Sequence, residues 1–544
     1  MSFTGSMQQW PLRVTTILDH AANLFPRQEV VSRRVEGDIH RLDYATLRER
    51  VRRCANVLDK LGVAPGDRVG TLAWNTHRHL EVWYACAGLG ATYHTVNPRL
   101  FEEQIQWIVA DAEDSILLVD LTFVALAERI VAACSSVKRV VILTDRAHMP
   151  TTSLPDALCY EDLVADASPD FCFREFDEET ALGLCYTSGT TGRPKGVLYS
   201  HRSTVLHAMG VNMADAFGLS SRMGVMPVVP MYHANAWALP FAAPMVGAKL
   251  VLPGAKLDGA SLCELAESEG VTLAAGVPTV WVGFVDHVRE RQVKLQALKR
   301  VVVGGSACSE ALFDALERDC GVEVLHAWGM TELSPVASYA TVRAGMESAP
   351  VEALHRLRLK QGAPVYSVEM RIVDAQGVPM PHDGVNAGAL QVRGPSVLRE
   401  YYKGAGGQVL DGDGFFDTGD IATIDEHGFM HITDRAKDMI KSGGEWISSI
   451  ELENAALGHP AVVEAAAIAV PHEKWGERPL LLAVRRPDMQ VEEGEVIAWL
   501  GGKLARWAVP EQVLFVDALP HTATGKLDKA SLRKSYGTPA STQA

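Results

Sequence analysis

Short apolar runs alternate with stretches of helical periodicity along much of the chain. Residues 68–73 form a mostly apolar run that is typical of a buried strand, and residues 79–89 follow with the pattern of a helix. The same order recurs at further short apolar runs, residues 115–120, 139–144, 249–252, 272–276 and 300–303. Because strands separated by helices usually pair in parallel, we predict an α/β fold whose large N-terminal domain contains stacked, mostly parallel sheets.

The pattern changes in the last third of the chain. Between residues 362 and 393, short β-like segments alternate with turn clusters such as Pro381-His382-Asp383-Gly384, which indicates a small β-barrel sub-domain. The tail then shows helix and strand patterns in turn, at residues 449–457, 462–470, 492–505 and 512–516, with a last helix near Lys529. We therefore predict an N-terminal domain of residues 1–434 and a small α+β C-terminal domain of residues 435–544.

Composition and charge argue against several classes of protein. The net charge of −15 argues against general affinity for nucleic acid, which needs a basic face. The chain has 9 cysteines and no Cys-x-x-Cys pair, which favours the reduced thiols of a cytoplasmic protein over a disulfide framework or a zinc site. The nearest approach to a membrane span, residues 236–248, is interrupted by Pro240 and Pro244, so we expect no integral membrane contact.

Residues 186–196 combine hydroxyls, glycines and cations directly after an apolar run. Glycines let backbone N–H groups converge on an anion, hydroxyls add donors or reach a metal ion, and Lys195 supplies a mobile charge. The segment does not fit the GxxxxGK[ST] loop of nucleotide hydrolases, and a flexible polar turn is the alternative. We predict a phosphate-binding loop made of Thr187, Ser188, Gly189, Thr190, Thr191, Gly192 and Lys195.

Four further motifs follow this loop along the chain. They are residues 326–332 (His-Ala-Trp-Gly-Met-Thr-Glu), the group of Phe416, Thr418, Gly419 and Asp420, residues 434–441, and Thr524-Gly525-Lys526. In content and order the five motifs resemble those of the adenylate-forming superfamily, which comprises acyl-CoA synthetases, luciferases and the adenylation domains of peptide synthetases. The resemblance covers roughly residues 15–535, so the sequence is identified as a member of that superfamily.

The resemblance implies a two-step reaction that uses ATP, Mg²⁺ and CoA. A carboxylate is a poor acyl donor, and joining it to AMP with release of pyrophosphate gives a mixed anhydride that a thiol can attack. The first step needs the carboxylate in line with the α-phosphorus and the charge of ATP neutralised. In the family, a mobile C-terminal domain lets one site serve both steps.

Two acidic residues take central positions in the nucleotide site that the resemblance implies. Glu332 is the expected Mg²⁺ ligand, with Thr187 as a second candidate and Thr331 in contact with phosphate, since this ion is bound through few carboxylates and substrate phosphates. Asp420 is expected to bind the ribose, because a carboxylate accepts two hydroxyl hydrogen bonds, and Arg435 to join it there. A solvated glutamate and a turn aspartate are the alternatives.

The resemblance also assigns neighbours to the nucleotide. Gly305 and Ser306 follow the apolar run at residues 300–303, and are expected to lie along the adenine and the acyl group. The residues expected to flank the nucleotide are His326, Ala327, Trp328 and Gly329, with Gly305 and Gly329 also facing the acid.

The tail is expected to present different residues in the two steps. By resemblance, Lys526 reaches the carboxylate and the α-phosphate during adenylation, and Lys437 lies at the hinge. We predict catalytic roles for both, and for Thr331 and His233. The face for the thiol step is expected to contain Lys441, Gly443, Gly444 and Trp446, where the glycine pair leaves room for a pantetheine arm or is simply a turn.

Residues 229–237 bear on the identity of the acid. His233 fits the family's substrate-side position. Trp237 and the apolar residues after it suggest an acyl tunnel whose entrance the indole gates. The alternative for Trp237 is an ordinary core position. Together with residues 442–448, this segment resembles the medium- and long-chain fatty acyl-CoA synthetases, a sub-group that includes methylmercaptopropionyl-CoA ligases. An amino-acid-activating domain would have an aspartate at residues 233–235, and none is present.

We therefore predict an AMP-forming fatty acid–CoA ligase. Within the superfamily, the alternatives are a short thioether or aryl acid as substrate, a carrier protein as acceptor, or a luciferase-like reaction. Outside enzymes, the alternative is a nucleotide-binding regulatory protein, which the intact set of Lys195, Glu332, Asp420, Lys437 and Lys526 argues against. By analogy with relatives that share the Trp237 segment, we expect a homodimer.

Overall fold

The structure, a computed structural model, describes residues 5–187, 193–443, 445–487, 489–522 and 526–537. Within these residues, helices connect most of the parallel strands. The α-helices are α1 (Thr15–Leu24), α2 (Tyr44–Lys60), α3 (His77–Leu89), α4 (Glu102–Ala112), α5 (Val124–Ala133), α6 (Tyr160–Asp166), α7 (His201–Val211), α8 (Leu239–Met245), α9 (Gly259–Ser268), α10 (Pro278–Arg291), α11 (Glu310–Arg318), α12 (Val351–Leu359), α13 (Ser449–Leu457), α14 (Glu493–Gly501) and α15 (Lys529–Tyr536).

The strands fall into four sheets. In chain order they are β1 (Glu29–Arg33), β2 (Ile39–Asp43), β3 (Arg68–Leu72), β4 (Thr92–Thr95), β5 (Ile116–Val119), β6 (Arg139–Ile142), β7 (Leu158–Cys159), β8 (Ala181–Tyr186), β9 (Gly196–Ser200), β10 (Gly224–Pro227), β11 (Lys249–Leu252), β12 (Leu273–Gly276), β13 (Arg300–Val303), β14 (Glu323–Gly329), β15 (Val336–Tyr339), β16 (Ala363–Pro364), β17 (Glu369–Val373), β18 (Gly388–Arg393), β19 (Phe416–Ile424), β20 (Met430–Arg435), β21 (Ile440–Ser442), β22 (Glu445–Ile447), β23 (Val462–His472), β24 (Gly476–Arg485) and β25 (Gln512–Phe515).

Two large sheets form the N-terminal part. One has the order β7-β6-β5-β3-β4-β8-β9 and is parallel except for the β8–β9 pair. The other has the order β16-β15-β14-β13-β12-β10-β11-β1-β2, with parallel pairing from β14 to β1 and antiparallel strands at both edges. The predicted α/β class with stacked, mostly parallel sheets is confirmed.

Helix α3 lies between the two large sheets and is buried on every side. It begins after Thr76, whose side chain accepts a hydrogen bond from the His79 N–H, and ends at Gly90, which adopts a left-handed φ of 72°. The buried Arg78 is paired with Glu36 and Glu161, both at 2.7 Å, so its charge is compensated. This packing joins the two sheets into one core.

The last two sheets are smaller. Strands β17 to β20 form a four-stranded antiparallel sheet where the small β sub-domain was predicted. In the tail, β22-β21-β24-β23 form a sheet to which β25 adds in parallel on β24, with α13 and α15 packed on β23. The predicted boundary after residue 434 falls at the end of β20 and stays a prediction.

Most predicted elements lie within a few residues of the observed ones. The predicted helix at residues 492–505 is shorter, because it ends at Gly501 with Gly502 as its cap. Strand β24 was not predicted; Pro479, which lacks a backbone donor, weakens the strand pattern there. Within the described ranges, no helix is both long enough and apolar enough to span a bilayer.

Candidate active site

Four sequence-predicted residues from distant parts of the chain meet in a buried cluster of charges. The ammonium group of Lys526 lies among the charges of Glu332, Asp420 and Arg435. Burial, and to a smaller extent the charge of Arg435, lowers the pKa of Lys526 to about 8. The carboxylates of Asp420 and Glu332 oppose this shift. The tail therefore places its lysine directly against the N-terminal part.

Glu332 is buried and held at several points. Its Oε1 accepts a hydrogen bond from the Tyr401 hydroxyl at 2.8 Å, and its backbone carbonyl accepts one from the Leu398 N–H at 2.7 Å. The preceding carbonyl, of Thr331, accepts one from the Tyr199 hydroxyl at 2.7 Å. Burial raises the pKa of Glu332, against the opposing effects of the Tyr401 hydrogen bond and of nearby cations.

These residues fit a divalent cation. Among the described residues, the side-chain hydrogen bond to this carboxylate comes from Tyr401 and reaches Oε1, so Oε2 is the oxygen better placed for a ligand. A desolvated carboxylate gains from a compensating positive charge, and Mg²⁺ takes one or two carboxylates with the rest of its shell from water and phosphate. The predicted second ligand, Thr187, is half-buried at the start of the predicted phosphate loop.

Asp420 and Arg435 face each other across neighbouring strands. They are direct partners in the antiparallel pairing of β19 with β20, which brings Arg435 Nε to 3.1 Å from Asp420 Oδ1. The indole Nε1 of Trp328 donates to the other carboxylate oxygen at 3.2 Å. Burial raises the pKa of Asp420, and Arg435 opposes that effect. Both carboxylate oxygens of Asp420 thus have a partner that orients them.

The predicted phosphate loop connects two antiparallel strands. Its ends are closed by hydrogen bonds from the Thr187 N–H to the Lys195 carbonyl, 2.9 Å, and from the Lys195 N–H to the Thr187 hydroxyl, 3.3 Å. Lys195 Nζ lies 4.8 Å from the centre of the Tyr401 ring. Ser188, Gly189, Thr190, Thr191 and Gly192 lie outside the described residues.

Strand β14 carries the residues predicted to flank the nucleotide. His326, Ala327 and Trp328 are buried, and Nδ1 of His326 donates to the Leu359 carbonyl at 2.9 Å. Burial lowers the pKa of His326 to about 4, so the ring is neutral. Gly329 must be glycine, since a Cβ there would lie 2.1 Å from the Pro335 carbonyl oxygen. Gly305, at a φ of 84°, and the exposed Ser306 follow the neighbouring β13.

His233 and Trp237, which are predicted to face the acid, lie next to or on an unusual turn. Residues 234–238 are five consecutive non-glycine residues with positive φ, between 43° and 64°. The turn directs the indole of Trp237 over Gly304, where a Cβ would lie 3.2 Å from the indole Cη2. Burial and then the charge of Lys526 lower the pKa of His233 to about 4, which places His233 near the charged cluster.

The predicted thiol-step residues occupy a different position. Lys441, Gly443 and Trp446 lie on the β21–β22 hairpin, where Trp446 is 54% exposed and Lys441 Nζ is 5.5 Å from its ring centre. Gly443 has a φ of 59° and packs against the Trp475 ring, while Gly444 lies outside the described residues. Lys437 is exposed as a whole residue, but partial desolvation of its ammonium group lowers its pKa. This hairpin is accessible, whereas the ammonium of Lys526 is buried.

The comparison with known families decides where this chain belongs. Residues 18–402 match the model of the AMP-binding enzyme family, and residues 451–526 match that of the AMP-binding enzyme C-terminal domain.

The chain belongs to the AMP-binding enzyme family.

Relatives align over almost the whole chain. A medium-chain-fatty-acid–CoA ligase from Ectopseudomonas oleovorans is 48% identical and covers 98% of this chain and 97% of its own. A 3-methylmercaptopropionyl-CoA ligase from Ruegeria lacuscaerulensis is 47% identical and covers 98% of both. Among solved structures, ATP-bound MatB from Rhodopseudomonas palustris superimposes with a TM-score of 0.79 at 25% identity, over 96% of this chain and 99% of that one.

In this AMP-binding enzyme, the structure adds residues that motif reasoning missed. A cavity of about 680 Å³ borders His233 and Tyr232, and two cations, Arg99 and Lys256, line it. Tyr401, which contacts Glu332, was also missed. None of these residues lies in the five motifs, and only their positions in the fold indicate a role.

Proposed function

We propose that this AMP-binding enzyme joins a carboxylic acid to AMP and then transfers the acyl group to CoA. The single observation that carries the proposal is the meeting of Lys526 with Glu332 and Asp420 beside His233. On this proposal, the residues expected to bind the nucleotide and the residue expected to face the acid share the ammonium group of Lys526 as a neighbour. The acyl-CoA ligases among the relatives support the same reaction.

In the first step, an oxygen of the acid attacks the α-phosphorus and pyrophosphate leaves. Lys526 would donate hydrogen bonds to the acid and to the α-phosphate, offsetting charge that develops there. Asp420 would accept the ribose hydroxyls, with Trp328 and Arg435 fixing its orientation. His233, neutral by burial, would face the acid.

The same site would hold a magnesium ion with its nucleotide. Glu332 and the hydroxyl of Thr187 would be its protein ligands, and the ion would supply charge neutralisation of the β- and γ-phosphates. Thr331 and Lys195 would contact the phosphates directly. The hydroxyl of Tyr401 donates to the carboxylate of Glu332, and that of Tyr199 donates to the backbone carbonyl of Thr331. These two bonds hold residues 331 and 332 in place, so this part of the site is preorganised.

In the second step, the CoA thiol attacks the acyl carbonyl and AMP leaves. We propose that CoA enters through the cavity beside His233, because Arg99 and Lys256 suit its phosphates, and that its pantetheine arm carries the thiol inward. Lys526 would move away about the Lys437 hinge, and the β21–β22 hairpin with Lys441, Gly443, Gly444 and Trp446 would take its place.

For the acid, we propose a fatty acid of medium chain length, with a short thioether acid as the second candidate. Both are named among relatives of nearly equal identity. The position of Trp237 over Gly304 favours a short or medium chain, because the indole fills part of the acyl side unless it moves.

The test is product analysis with a series of straight-chain acids from acetate to palmitate and with methylmercaptopropionate. We expect AMP, pyrophosphate and an acyl-CoA in equal amounts, and the largest kcat/KM within the medium-chain acids. Acyl-AMP without thioester in the presence of CoA would contradict the proposal and favour a carrier-protein or luciferase-like reaction.

We also propose a cytoplasmic homodimer. All nine cysteines are free thiols and eight are buried, which suits a reducing compartment. The dimer rests on the family resemblance, and light scattering of the purified protein tests it: a mass near twice 59.0 kDa is expected, and a monomer would overturn it.

A further inference from the structure

Tyr401 lies in the segment between β18 and β19, outside the five motifs. Its side chain is buried in an apolar cluster that includes Trp328, Leu333 and Phe416. From that cluster its hydroxyl reaches a charged group, donating to Glu332 Oε1 at 2.8 Å. A tyrosine hydroxyl in an apolar cluster needs a partner, and here the partner is the carboxylate proposed to hold the metal.

The face of the same ring contacts the phosphate loop. Lys195 Nζ lies 4.8 Å from the ring centre, within the range of a cation–π contact. A Cβ on Gly406 would lie 2.9 Å from Lys195 Nζ, so this glycine leaves space for the ammonium. One side chain therefore touches both the candidate metal ligand and the candidate phosphate-binding cation.

The segment that carries Tyr401 is fixed on both sides of it. On one side, the Leu398 N–H donates to the Glu332 carbonyl at 2.7 Å, and the Ser334 hydroxyl donates to the Ser396 carbonyl at 2.9 Å. On the other, Lys403 Nζ donates to the Asp111 carbonyl at 2.6 Å and pairs with Glu113 at 2.8 Å. The hydroxyl of Tyr401 is thus presented from a rigid support.

A carboxylate that has a free terminal torsion can turn either oxygen to a metal ion. The hydrogen bond from Tyr401 to Oε1 restrains the orientation of the group and favours Oε2 as the ligand atom. It also keeps a buried negative charge hydrogen-bonded before the ion arrives. Loss of a residue that hydrogen-bonds to a metal ligand typically lowers metal affinity by about tenfold or more.

We propose that Tyr401 is a positioning residue that orients Glu332 toward a divalent cation and holds Lys195 toward the phosphates of ATP. The proposal rests on the proposed function, since it takes Glu332 as a metal ligand. Tyr401 touches no reacting atom and acts through the two residues that it contacts.

The test uses Tyr401→Phe, which keeps the ring in its apolar cluster and removes only the hydroxyl. Binding of ATP is measured by calorimetry, without acid, over a range of Mg²⁺ concentrations. We expect the Mg²⁺ concentration for half-maximal ATP binding to rise about tenfold, as for the loss of one hydrogen bond to a charged group. Excess Mg²⁺ should restore ATP binding. The matched control is Tyr402→Phe at the next residue, which should titrate like the unmodified enzyme.

A second measurement shows whether the effect passes through Glu332. In a double-mutant cycle, adding Tyr401→Phe to Glu332→Gln should weaken Mg²⁺-dependent ATP binding little further, because the partner of the hydroxyl is already altered. Additive losses would overturn the proposal. So would an unchanged Mg²⁺ dependence in Tyr401→Phe, or a large drop in its melting temperature without ligands, which would make the hydroxyl structural.

The outcome is separable from that of the proposed function. Thioester formation from supplied acyl-AMP and CoA does not need Mg²⁺·ATP, so Tyr401→Phe should retain it. If the unmodified enzyme forms no acyl-adenylate with any acid, the proposed function fails, while the binding titrations still decide whether Tyr401 orients the cation site.

Discussion

The two faces of the C-terminal domain differ in what surrounds them. The ammonium of Lys526 is buried among charges of the N-terminal part, while the β21–β22 hairpin with Lys441 and Trp446 is exposed. The buried face contains the charges that the proposed adenylation would use, and the exposed face has an aromatic ring beside a cation. We propose that the arrangement seen here would serve the first step and that a different one would serve the second.

The largest effect is expected from Lys526→Ala. Removing a group that stabilises developing charge in a desolvated site costs about a hundredfold to a thousandfold in rate. Acyl-AMP formation should fall by that factor, while thioester formation from supplied acyl-AMP stays nearly unchanged. Single-turnover assays of each step measure the two rates. Equal losses in both would contradict the assignment of Lys526 to the first step alone.

Lys526→Arg is the matched control, and it adds a pH dependence. Since the pKa of Lys526 is about 8, its ammonium is protonated below that pH and loses its charge above it. Adenylation should therefore decline as the pH rises through about 8 in the unmodified enzyme. Arginine stays charged, so the variant should lack this decline; a decline at the same pH would assign it to another group.

Glu332→Gln should have the next largest effect. The change keeps the shape of the side chain and removes its charge, so the cation should be held less well with ATP. A loss of about a hundredfold in adenylation is expected, since metal ions contribute several kcal/mol to such transition states. Melting temperature should change little. Near-normal turnover at ordinary Mg²⁺ would contradict the ligand role.

Trp446→Ala tests the exposed face. The indole is half exposed, so its loss should not affect stability, and it has no part in the buried cluster. We expect the thioester step to slow by about tenfold, as for the loss of an aromatic contact worth roughly 1–1.5 kcal/mol, with adenylation unchanged. A variant that loses adenylation instead would reverse the assignment of the two faces.

Trp237→Ala should have the smallest effect on rate and the clearest effect on selectivity. A tryptophan packed in a core costs roughly 3–5 kcal/mol on truncation, whereas a gate over a tunnel should cost much less. We expect a modest fall in melting temperature and a shift of kcat/KM toward longer or bulkier acids, about fourfold for each methylene accommodated. A far lower melting temperature with an unchanged acid profile would make the indole structural.

The charged cluster around Lys526 could be predicted from the sequence, because its members lie in motifs whose residue types are typical of one kind of chemistry. Asp420 and Arg435 illustrate how the fold joins them: they are fifteen positions apart, and the β19–β20 register makes them neighbours. The left-handed turn at residues 234–238 could not be predicted, because Asn235 is the one residue of the five whose type favours positive φ. Tyr401 and Arg99 were missed since their contacts depend on segments far away along the chain.

The central claim, that one small domain presents two faces in turn, is tested most directly by lysine footprinting. Amine acetylation followed by mass spectrometry compares Lys526 with Lys441 in the same sample. With ATP bound, Lys526 should be protected and Lys441 labelled; with acyl-AMP and a thiol-free CoA analogue, the order should reverse. Equal labelling of Lys526 in both states would contradict the claim.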